Sequence, residues 1–357
     1  MEHAEDTTII EGADPEVIGP YLAQELDDPA WRGCDVRLLA GGKSNLTYLV
    51  KAGGKELVLR RPPLGHVLPT AHDMEREFTV MSALGPTSVP VPRTIHLCSD
   101  PSVLGVTFYV MERCRGHIVR NAFPEGFAPR PSDKRMVGDG LIDALVELHD
   151  VDWRGVGLEG FGRPEGFMER QIRRWARQWE SSVTRPLPLM DELIVRLRDE
   201  LAPPPAPTIV HGDFRLDNAI LDPDDPGRIT AILDWEMSTI GDPLADLGLM
   251  LVYWPQEDDS DAYRQAFASI TATAVPGFPT RDDVLDRYAS KSGRDTSNVY
   301  FYWAFGFFKL AVILEGIHAR FLQGKTLGDG FEGIGERVPP LIMASMWVLE
   351  RKEVGPI

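Results

Sequence analysis

HGDFRLDN, residues 211–218, is the stretch that decides the fold, and ILDWE, residues 232–236, completes it. Asp213 and Asn218 lie five residues apart, and Asp234 follows sixteen residues later at the end of an apolar run. A phosphoryl-transfer site needs one carboxylate that orients the attacking hydroxyl, and further oxygen ligands that hold Mg²⁺. The two stretches supply residues of both kinds, so the pattern favours such a site.

The spacing of these residues also matches that of protein kinases. Their catalytic loop has the same interval between Asp and Asn, and their metal-binding Asp lies at the end of a later strand. An H-x-D triplet alone would be weak, because His, Asp and Asn are common in loops. The combination with an Asn at a fixed offset and an apolar strand ending in Asp is much more specific.

Together with GDPLADLG (241–248), these motifs resemble the aminoglycoside phosphotransferase and choline-kinase family of protein-kinase-like enzymes. The closer resemblance is to a branch whose kinase-like domain is fused to acyl-CoA dehydrogenase in animals, and it extends from about residue 35 to residue 350. It implies an α+β, protein-kinase-like fold with a small antiparallel-sheet N-lobe (1–113) and a larger, mostly helical C-lobe (114–357). It also implies transfer of the ATP γ-phosphoryl group to a small-molecule hydroxyl, with ATP and Mg²⁺ as cofactors.

The resemblance assigns roles to the motif residues. Asp213 would be the catalytic base, Asn218 and Asp234 the Mg²⁺ ligands, and His211 a structural support of the loop. Arg215 would contact phosphate or substrate; alternatively it is a surface residue that pairs with a nearby aspartate.

Three further residues of this region have less specific roles. Asp242 and Asp246 would anchor the catalytic region, although Asp246 could equally cap the apolar helix that follows it. Glu236 is a candidate for contacting the substrate.

The N-terminal region has a matching set of candidates. GGKSNLTYLV (41–50) resembles the phosphate-covering turn of kinases, with Gly42, Ser44 and Asn45 near the phosphates. Arg60 stands where kinases present a phosphate-pairing Lys, a departure that matters because Arg is a planar fork that stays charged. Glu77 would pair with this cation, and Glu75 is the alternative.

The segment FYVMERCRG (108–116) resembles the hinge between kinase lobes. Main-chain groups around Glu112 and Arg113 would bind adenine there.

A predicted helix over 165–180 carries four arginines at helical spacing: Arg170, Arg173, Arg174 and Arg177. Such a face is usually solvated and paired with local acids. In a chain of net charge −17 it could instead bind an anionic substrate, and Arg173 and Arg174 are the candidates.

Composition limits the partners and the location. The net charge of −17 disfavours nucleic acid and anionic lipid as partners. The three cysteines are few and lack metal-ligand spacing, as is usual in the cytoplasm, and the acidic N-terminus does not resemble a secretory signal. The apolar stretch 300–317 is interrupted by Lys309 and Glu315, so we predict a buried core helix rather than a membrane span.

The acceptor is the least determined part of the reaction. We predict a hydroxyacyl-CoA or a similar anionic metabolite, with a functional link to acyl-CoA metabolism, because the resembling branch is fused to acyl-CoA dehydrogenases. An aminoglycoside acceptor is the first alternative. A nucleotide-binding pseudokinase regulator is an alternative of another class, although Asp213, Asn218 and Asp234 are all present. A protein substrate is disfavoured because D-F-G and A-P-E motifs are missing.

Overall fold

The chain divides into two units in a computed structural model that describes residues 11–40, 45–64, 72–267, 272–325 and 330–357. The first unit comprises the described residues up to Thr87 together with Val91–Cys114. The second comprises Ser88–Pro90 and Arg115–Ile357. The division falls one residue beyond the predicted boundary, and the short segment 88–90 groups with the second unit because Pro90 O accepts a hydrogen bond from Ile232 N at 2.8 Å.

The first unit is built on one five-stranded antiparallel sheet of order β1-β2-β3-β5-β4. Its elements are α1 (Pro15–Glu25), β1 (Asp35–Ala40), β2 (Leu46–Ala52), β3 (Lys55–Arg61), α2 (Met74–Leu84), β4 (Thr94–Cys98), α3 (Pro101–Leu104) and β5 (Phe108–Glu112). Alternating apolar residues place Tyr48, Leu59 and Val110 in a core that also buries Ile18 and Leu22 of α1. The predicted small antiparallel sheet of the N-terminal region is confirmed.

The second unit is mostly helical. Its elements are α4 (Pro131–Asp150), α5 (Phe167–Ser182), α6 (Pro188–Asp199), β6 (Thr208–Val210), β7 (Ala219–Leu221), β8 (Ile229–Ile232), β9 (Thr239–Gly241), α7 (Leu244–Val252), α8 (Asp261–Ala266), α9 (Arg281–Ser292), α10 (Val299–Leu322) and α11 (Val338–Arg351). The strands form two antiparallel pairs, β7 with β8 and β6 with β9. Sequence reasoning missed β6 and β9, because three residues are too few to show an alternating pattern and these two strands, unlike β7, are not wholly apolar. The α+β kinase-like architecture is confirmed.

Helix α10 forms the centre of the second unit. By length and composition it could cross a membrane, yet 83% of its most apolar stretch is buried inside the protein. The prediction of a core helix is therefore confirmed. It crosses α7 very closely, since a Cβ on Gly248 would lie 2.4 Å from the carbonyl carbon of Tyr302.

Candidate active site

The loop His211–Asn218, which we call the catalytic loop after its predicted role, is held at its start by one buried carboxylate of α7. Asp246 Oδ2 accepts a hydrogen bond from His211 N at 2.6 Å, and Oδ1 accepts one from Gly212 N at 2.7 Å. Burial opposes its charge, but the His149 contact and these amides hold the pKa of Asp246 below its usual range. The anchoring role is borne out, and the capping alternative is wrong because Pro243 is the N-cap of α7.

Gly212 must be a glycine at this place in the loop. Its φ is +84°, and an added Cβ would lie 2.6 Å from Met237 O. A side chain here would therefore displace the segment that carries Asp213.

His211 supports the loop from inside. Its ring Nε2 lies 2.9 Å from Leu233 O, and Asp213 N donates to its Nδ1 at 3.2 Å. Both contacts are satisfied when Nε2 carries the proton. The ring also packs edge-on against Phe214 and Trp235, so its predicted structural role agrees with the geometry.

Asp213 and Asn218 contact each other directly. Asn218 Nδ2 donates to the Asp213 main-chain oxygen at 2.9 Å and to its Oδ2 at 3.0 Å. The Asp213 side chain is 23% exposed, so a small molecule could reach it. Because the amide nitrogen of Asn218 is used in these bonds, its amide oxygen is the atom that could bind a cation.

The β7–β8 hairpin brings Asn218 beside Asp234. Ala219 pairs with Ile232, and one step further Asn218 O accepts a hydrogen bond from Leu233 N at 2.8 Å. Asp234 follows at once, with a left-handed φ of +68° that ends the extended segment two residues after β8. An amide oxygen and a carboxylate on adjoining segments suit Mg²⁺, which prefers few protein oxygens plus water and phosphate. Within the described ranges no cluster of three or more His, Cys, Asp or Glu offers a competing metal site.

Arg215 is embedded among acids and an aromatic ring. Its guanidinium lies 3.2 Å from Asp213 Oδ2, 3.0 Å from Asp217 Oδ2, and 4.7 Å from the centroid of the Tyr253 ring. Burial alone would lower the pKa of Arg215, but the Asp213 and Asp217 carboxylates raise it, so the side chain stays charged. The alternative pairing with Asp217 is seen, together with a direct contact to the proposed base.

Glu236 lies in a short 3₁₀ turn, Trp235–Met237, directly after Asp234. It is half-buried there. A role in contacting the substrate stays a prediction.

A pocket in the second unit lies beside the catalytic loop, and sequence reasoning missed its main polar group. Gly212 lines it, with apolar walls from Phe167, Met237, Leu249 and Phe305. Lys309 of α10 also lines it and donates from Nζ to Gly212 O at 2.8 Å. The signal was present in the sequence, because Lys309 is the one charged residue within the run YFYWAFGFFKLAVIL (300–314), but it was taken only as an argument against a membrane span.

The arginines of α5 separate into different environments. Arg174 lines the pocket, whereas Arg173 pairs with Glu169 at 2.6 Å on the exposed side of the helix. Arg170 donates to the main-chain oxygens of Arg163 and Glu165. The structure therefore favours Arg174 as a substrate-binding candidate and gives Arg173 the solvated, locally paired environment.

In the first unit a group that we call the Glu77 cluster comprises Asn45, Arg60, Glu77 and Tyr109. The fully buried carboxylate of Glu77 lies 2.9 Å from Arg60 Nε. It accepts further hydrogen bonds from Asn45 Nδ2 at 2.7 Å and from the Tyr109 hydroxyl at 2.9 Å. The predicted pairing of Arg60 with Glu77 is confirmed. The alternative, Glu75, instead accepts a hydrogen bond from Ser99 Oγ at 2.8 Å.

The structure tests only some of the remaining candidates of the first unit. Gly42 and Ser44 lie outside the described residues, and the Asn45 side chain is used in the Glu77 cluster rather than offered to a ligand. Glu112 N already donates to Arg93 O at 2.9 Å, so adenine would need other main-chain groups of this segment. Arg113 pairs with Glu56 at 2.6 Å through its side chain.

Comparison with known proteins identifies the family. Residues 35–279 match the model of the phosphotransferase enzyme family, and the chain belongs to that family. The loop geometry and the kinase-like fold agree with this membership.

Among curated proteins, the chain is 35% identical to acyl-CoA dehydrogenase family member 11 of Gallus gallus, over 90% of this chain and 41% of that protein. The chain spans only 26% to 41% of the lengths of the first curated relatives that it matches.

Two solved structures show the fold. A Ralstonia eutropha JMP134 protein, assigned by name to the aminoglycoside phosphotransferases, is 30% identical with a TM-score of 0.77, covering 95% of this chain and 98% of that one. A thermostable mutant of aminoglycoside phosphotransferase APH(4)-Ia, in complex with ADP and hygromycin B, is 14% identical with a TM-score of 0.57, covering 95% and 99% of the two chains.

Proposed function

We propose that this phosphotransferase moves the γ-phosphoryl group of ATP to the hydroxyl of a hydroxyacyl thioester or a closely similar anionic metabolite. Nucleotide use is supported by family membership and by the ADP bound to the APH(4)-Ia relative of the same fold. The acceptor class is supported by one observation above all. The pocket beside Gly212 combines apolar walls with the cations Lys309 and Arg174.

That lining suits an acyl chain that carries an oxygen-rich, anionic end. Apolar walls gain free energy by covering an acyl chain, at roughly 25 cal/mol per Å² of apolar surface. A polycationic aminoglycoside would instead be repelled by the two cations. The names of the curated relatives, which belong to acyl-CoA dehydrogenase families, agree with an acyl-CoA acceptor.

In the proposed reaction the acceptor hydroxyl oxygen forms a bond to the γ-phosphorus. The bond from that phosphorus to the β,γ-bridging oxygen breaks, ADP leaves, and the hydroxyl proton passes to Asp213. Asn218 and Asp234 would hold Mg²⁺, which neutralises charge on phosphate oxygens when bound. Arg60 would contact the nucleotide phosphates, and Arg215 beside Asp213 would stabilise the phosphoryl group in transfer. Positioning and charge, rather than covalent chemistry, carry this kind of reaction.

The test compares acceptors directly. The protein is incubated with MgATP and 3-hydroxyacyl-CoA, 4-hydroxyacyl-CoA or kanamycin, and ADP release is followed together with the mass of each product. We expect a hydroxyacyl-CoA to gain one phosphoryl group. Phosphorylated kanamycin with unchanged acyl-CoA would contradict the proposed acceptor class and support the antibiotic alternative.

A further inference from the structure

Lys309 is a buried amine in the middle of an apolar helix. Its residue surface is 8% exposed, and its helix neighbours Phe308 and Leu310 are buried as well. Burial lowers the pKa of Lys309, while the nearby carboxylates of Asp213 and Asp246 act in the opposite direction. Such a group is expensive to bury, so its presence calls for a physical reason.

Support of the loop does not supply that reason by itself. Gly212 is already fixed through its N–H, which donates to Asp246, and His211 N donates to the same carboxylate. A neutral donor could satisfy Gly212 O at a lower desolvation penalty than an ammonium. The charge of Lys309 is therefore in excess of what the loop requires.

The amine also has unused donor capacity. An ammonium carries three N–H donors. Among the residues that the structure describes, Lys309 Nζ donates to Gly212 O, and it lies 5.6 Å from the centroid of the Trp175 ring. Since Lys309 lines the pocket, the remaining N–H groups can reach a ligand bound there.

The other charged groups of the pocket favour a ligand that carries an oxygen acceptor. Arg174 adds a second positive charge. Among the described residues, Asp246 is the one carboxylate in the lining, and its oxygens are committed to the loop amides and to His149 Nε2 at 3.4 Å. The pocket thus offers positive charges to a ligand, whereas the carboxylate of Asp246 is already bonded to other groups of the protein.

We propose that Lys309 positions the acceptor by donating a hydrogen bond to a carbonyl or carboxylate oxygen close to the reacting hydroxyl, with Arg174 as the second cation of the pocket. This inference rests on the proposed function for the reaction itself. It adds the group of the acceptor that is recognised and the residue that recognises it.

The contact of Lys309 with Gly212 places its amine beside the segment that carries Asp213. Lys309 contacts the carbonyl of Gly212, the residue directly before Asp213, and consecutive Cα atoms are about 3.8 Å apart. An oxygen bound by Lys309 would therefore lie beside the main chain of the segment that carries Asp213. A 3- or 4-hydroxyacyl group carries its oxygen acceptor close to the hydroxyl, because its thioester carbonyl is two or three carbons away, so it is the class of acceptor that the experiment tests.

The experiment compares three acceptors that share a hydroxyl. 3-Hydroxybutyryl-CoA has the thioester carbonyl, S-(3-hydroxybutyl)-CoA is the thioether that lacks it, and 3-hydroxybutyrate offers a carboxylate instead. Each is tested with wild type, Lys309→Met, Arg174→Ala and Arg173→Ala. Arg173→Ala is the matched control, because that side chain pairs with Glu169 on the exposed side of the same helix. Acceptor binding in the presence of MgADP is measured separately by calorimetry.

We expect wild type to prefer the thioester to the thioether by about 10- to 100-fold in kcat/KM, the range for one hydrogen bond to a charged group. Lys309→Met should lose that preference, so that kcat/KM falls more on the thioester than on the thioether. Arg174→Ala should raise the acceptor KM, and Arg173→Ala should leave it unchanged. If 3-hydroxybutyrate is the better acceptor, with the same dependence on Lys309, the oxygen recognised is a carboxylate.

Equal losses on thioester and thioether in Lys309→Met would overturn the inference, because they would show a role in loop support only. Calorimetry separates this failure from failure of the proposed function. Binding that requires both Lys309 and the carbonyl, without phosphorylated product, upholds the recognition and rejects phosphoryl transfer to this acceptor. Turnover that is indifferent to Lys309 upholds the function and rejects the recognition. Absence of both binding and turnover rejects both.

Discussion

In the Glu77 cluster three side chains converge on one buried carboxylate, whereas in the catalytic loop two main-chain amides converge on another. Glu77 receives Arg60, Asn45 and Tyr109, each from a different stretch of the first unit. Asp246 receives the N–H groups of His211 and Gly212, and so holds the chain rather than the reactive side chain. The two carboxylates are equally buried but act on different parts of the protein.

The difference predicts how each region responds to substitution. Arg60 is held through its own side chain, so its proposed role should depend on the length and shape of that side chain. A loop tied through its main chain should tolerate changes in exposed side chains and depend strongly on its buried anchor. Replacement of the proposed base Asp213 would then leave the main-chain bonds to Asp246 in place.

The largest effect is expected for Asp213→Ala. The loop is held by Asp246, so this variant should fold normally and keep its MgATP affinity, while turnover falls by about 10²- to 10⁴-fold through loss of the general base. Asp234→Ala should lose Mg²⁺-dependent ATP affinity as well. Calorimetry with MgATP and steady-state kinetics measure the two properties; equal losses of nucleotide affinity in both variants would contradict this division of roles.

Replacement of the anchor should affect folding as well as rate. Asn at position 246 has a single carbonyl oxygen, so one of the two loop amides would face an amide NH₂ group. We expect Asp246→Asn to lower the free energy of unfolding by about 3–5 kcal/mol, as for other broken buried charged networks, and to lower kcat. Chemical denaturation gives the first quantity. Wild-type stability would show that the main-chain bonds to Asp246 do not hold the loop.

Asp242 provides a buried carboxyl whose donors are neutral, the Tyr302 hydroxyl and Leu244 N. Burial raises its pKa from an ordinary value of 3.8 to about 6. A raised pKa contributes stability that is fully present below pH 3.8 and is lost as the pH rises through about 6. The difference between these two pKa values corresponds to about 3 kcal/mol of free energy of unfolding.

Asp242→Asn should therefore gain stability relative to wild type between about pH 4 and pH 7. Asn keeps an acceptor for Tyr302 and cannot ionise. Parallel denaturant titrations of both proteins across this pH range measure the difference. Two curves that run parallel would mean that Asp242 is not protonated in the folded protein near pH 5.

Arg60 tests the sensitivity of the Glu77 cluster. Arg60→Ala should raise the KM for ATP by about 10- to 100-fold, as expected for one lost charge-assisted contact. Arg60→Lys should keep part of the affinity, because the cation remains while the fork is lost. Full activity of the alanine variant would exclude Arg60 from phosphate binding.

If Arg60 does not bind phosphate, Arg61 is a poor candidate for that role. It is buried and donates to Gly12 O at 2.5 Å, away from the cluster.

The smallest effect is expected when two glutamates of the same turn of α2 are substituted and the KM for ATP is compared. Glu77→Gln should raise the KM for ATP by about tenfold, because Arg60 loses its charged partner. Glu75→Gln is the control, since Glu75 accepts a hydrogen bond from Ser99 and takes no part in the cluster. Equal responses of the two variants in ATP kinetics would show that the buried pair does not orient Arg60.

The sequence was sufficient for the motifs whose spacing is local and fixed by chemistry. Asp213, Asn218 and Asp234 were found because a loop and a hairpin bring them together over a short stretch of chain. Helices such as α10 were found because apolar residues accumulate over many turns. Strands β6 and β9 were missed because three residues show no period.

The pocket could not be derived in the same way. Lys309 meets Gly212 across 97 residues, and only tertiary packing shows which helix face reaches the loop. Arg173 and Arg174 are chemically identical neighbours, both exposed, and helical spacing alone could not tell which of them lines the pocket. Asn45 illustrates a third limit, because its sequence position suggested a ligand contact while a buried carboxylate elsewhere in the unit binds it.

The close crossing of α7 and α10 at Gly248 has a consequence for protein engineering. Gly248 leaves no space for a methyl group against the Tyr302 main chain, and the crossing lies two residues beyond Asp246 on α7 and seven before Lys309 on α10. Substitutions that change the angle between these helices are thus poor targets for directed evolution. New acceptors are better sought in libraries that diversify position 309 and its pocket neighbours while glycine is kept at 248. Acceptor selectivity can then change while the packing of α7 on α10 stays the same.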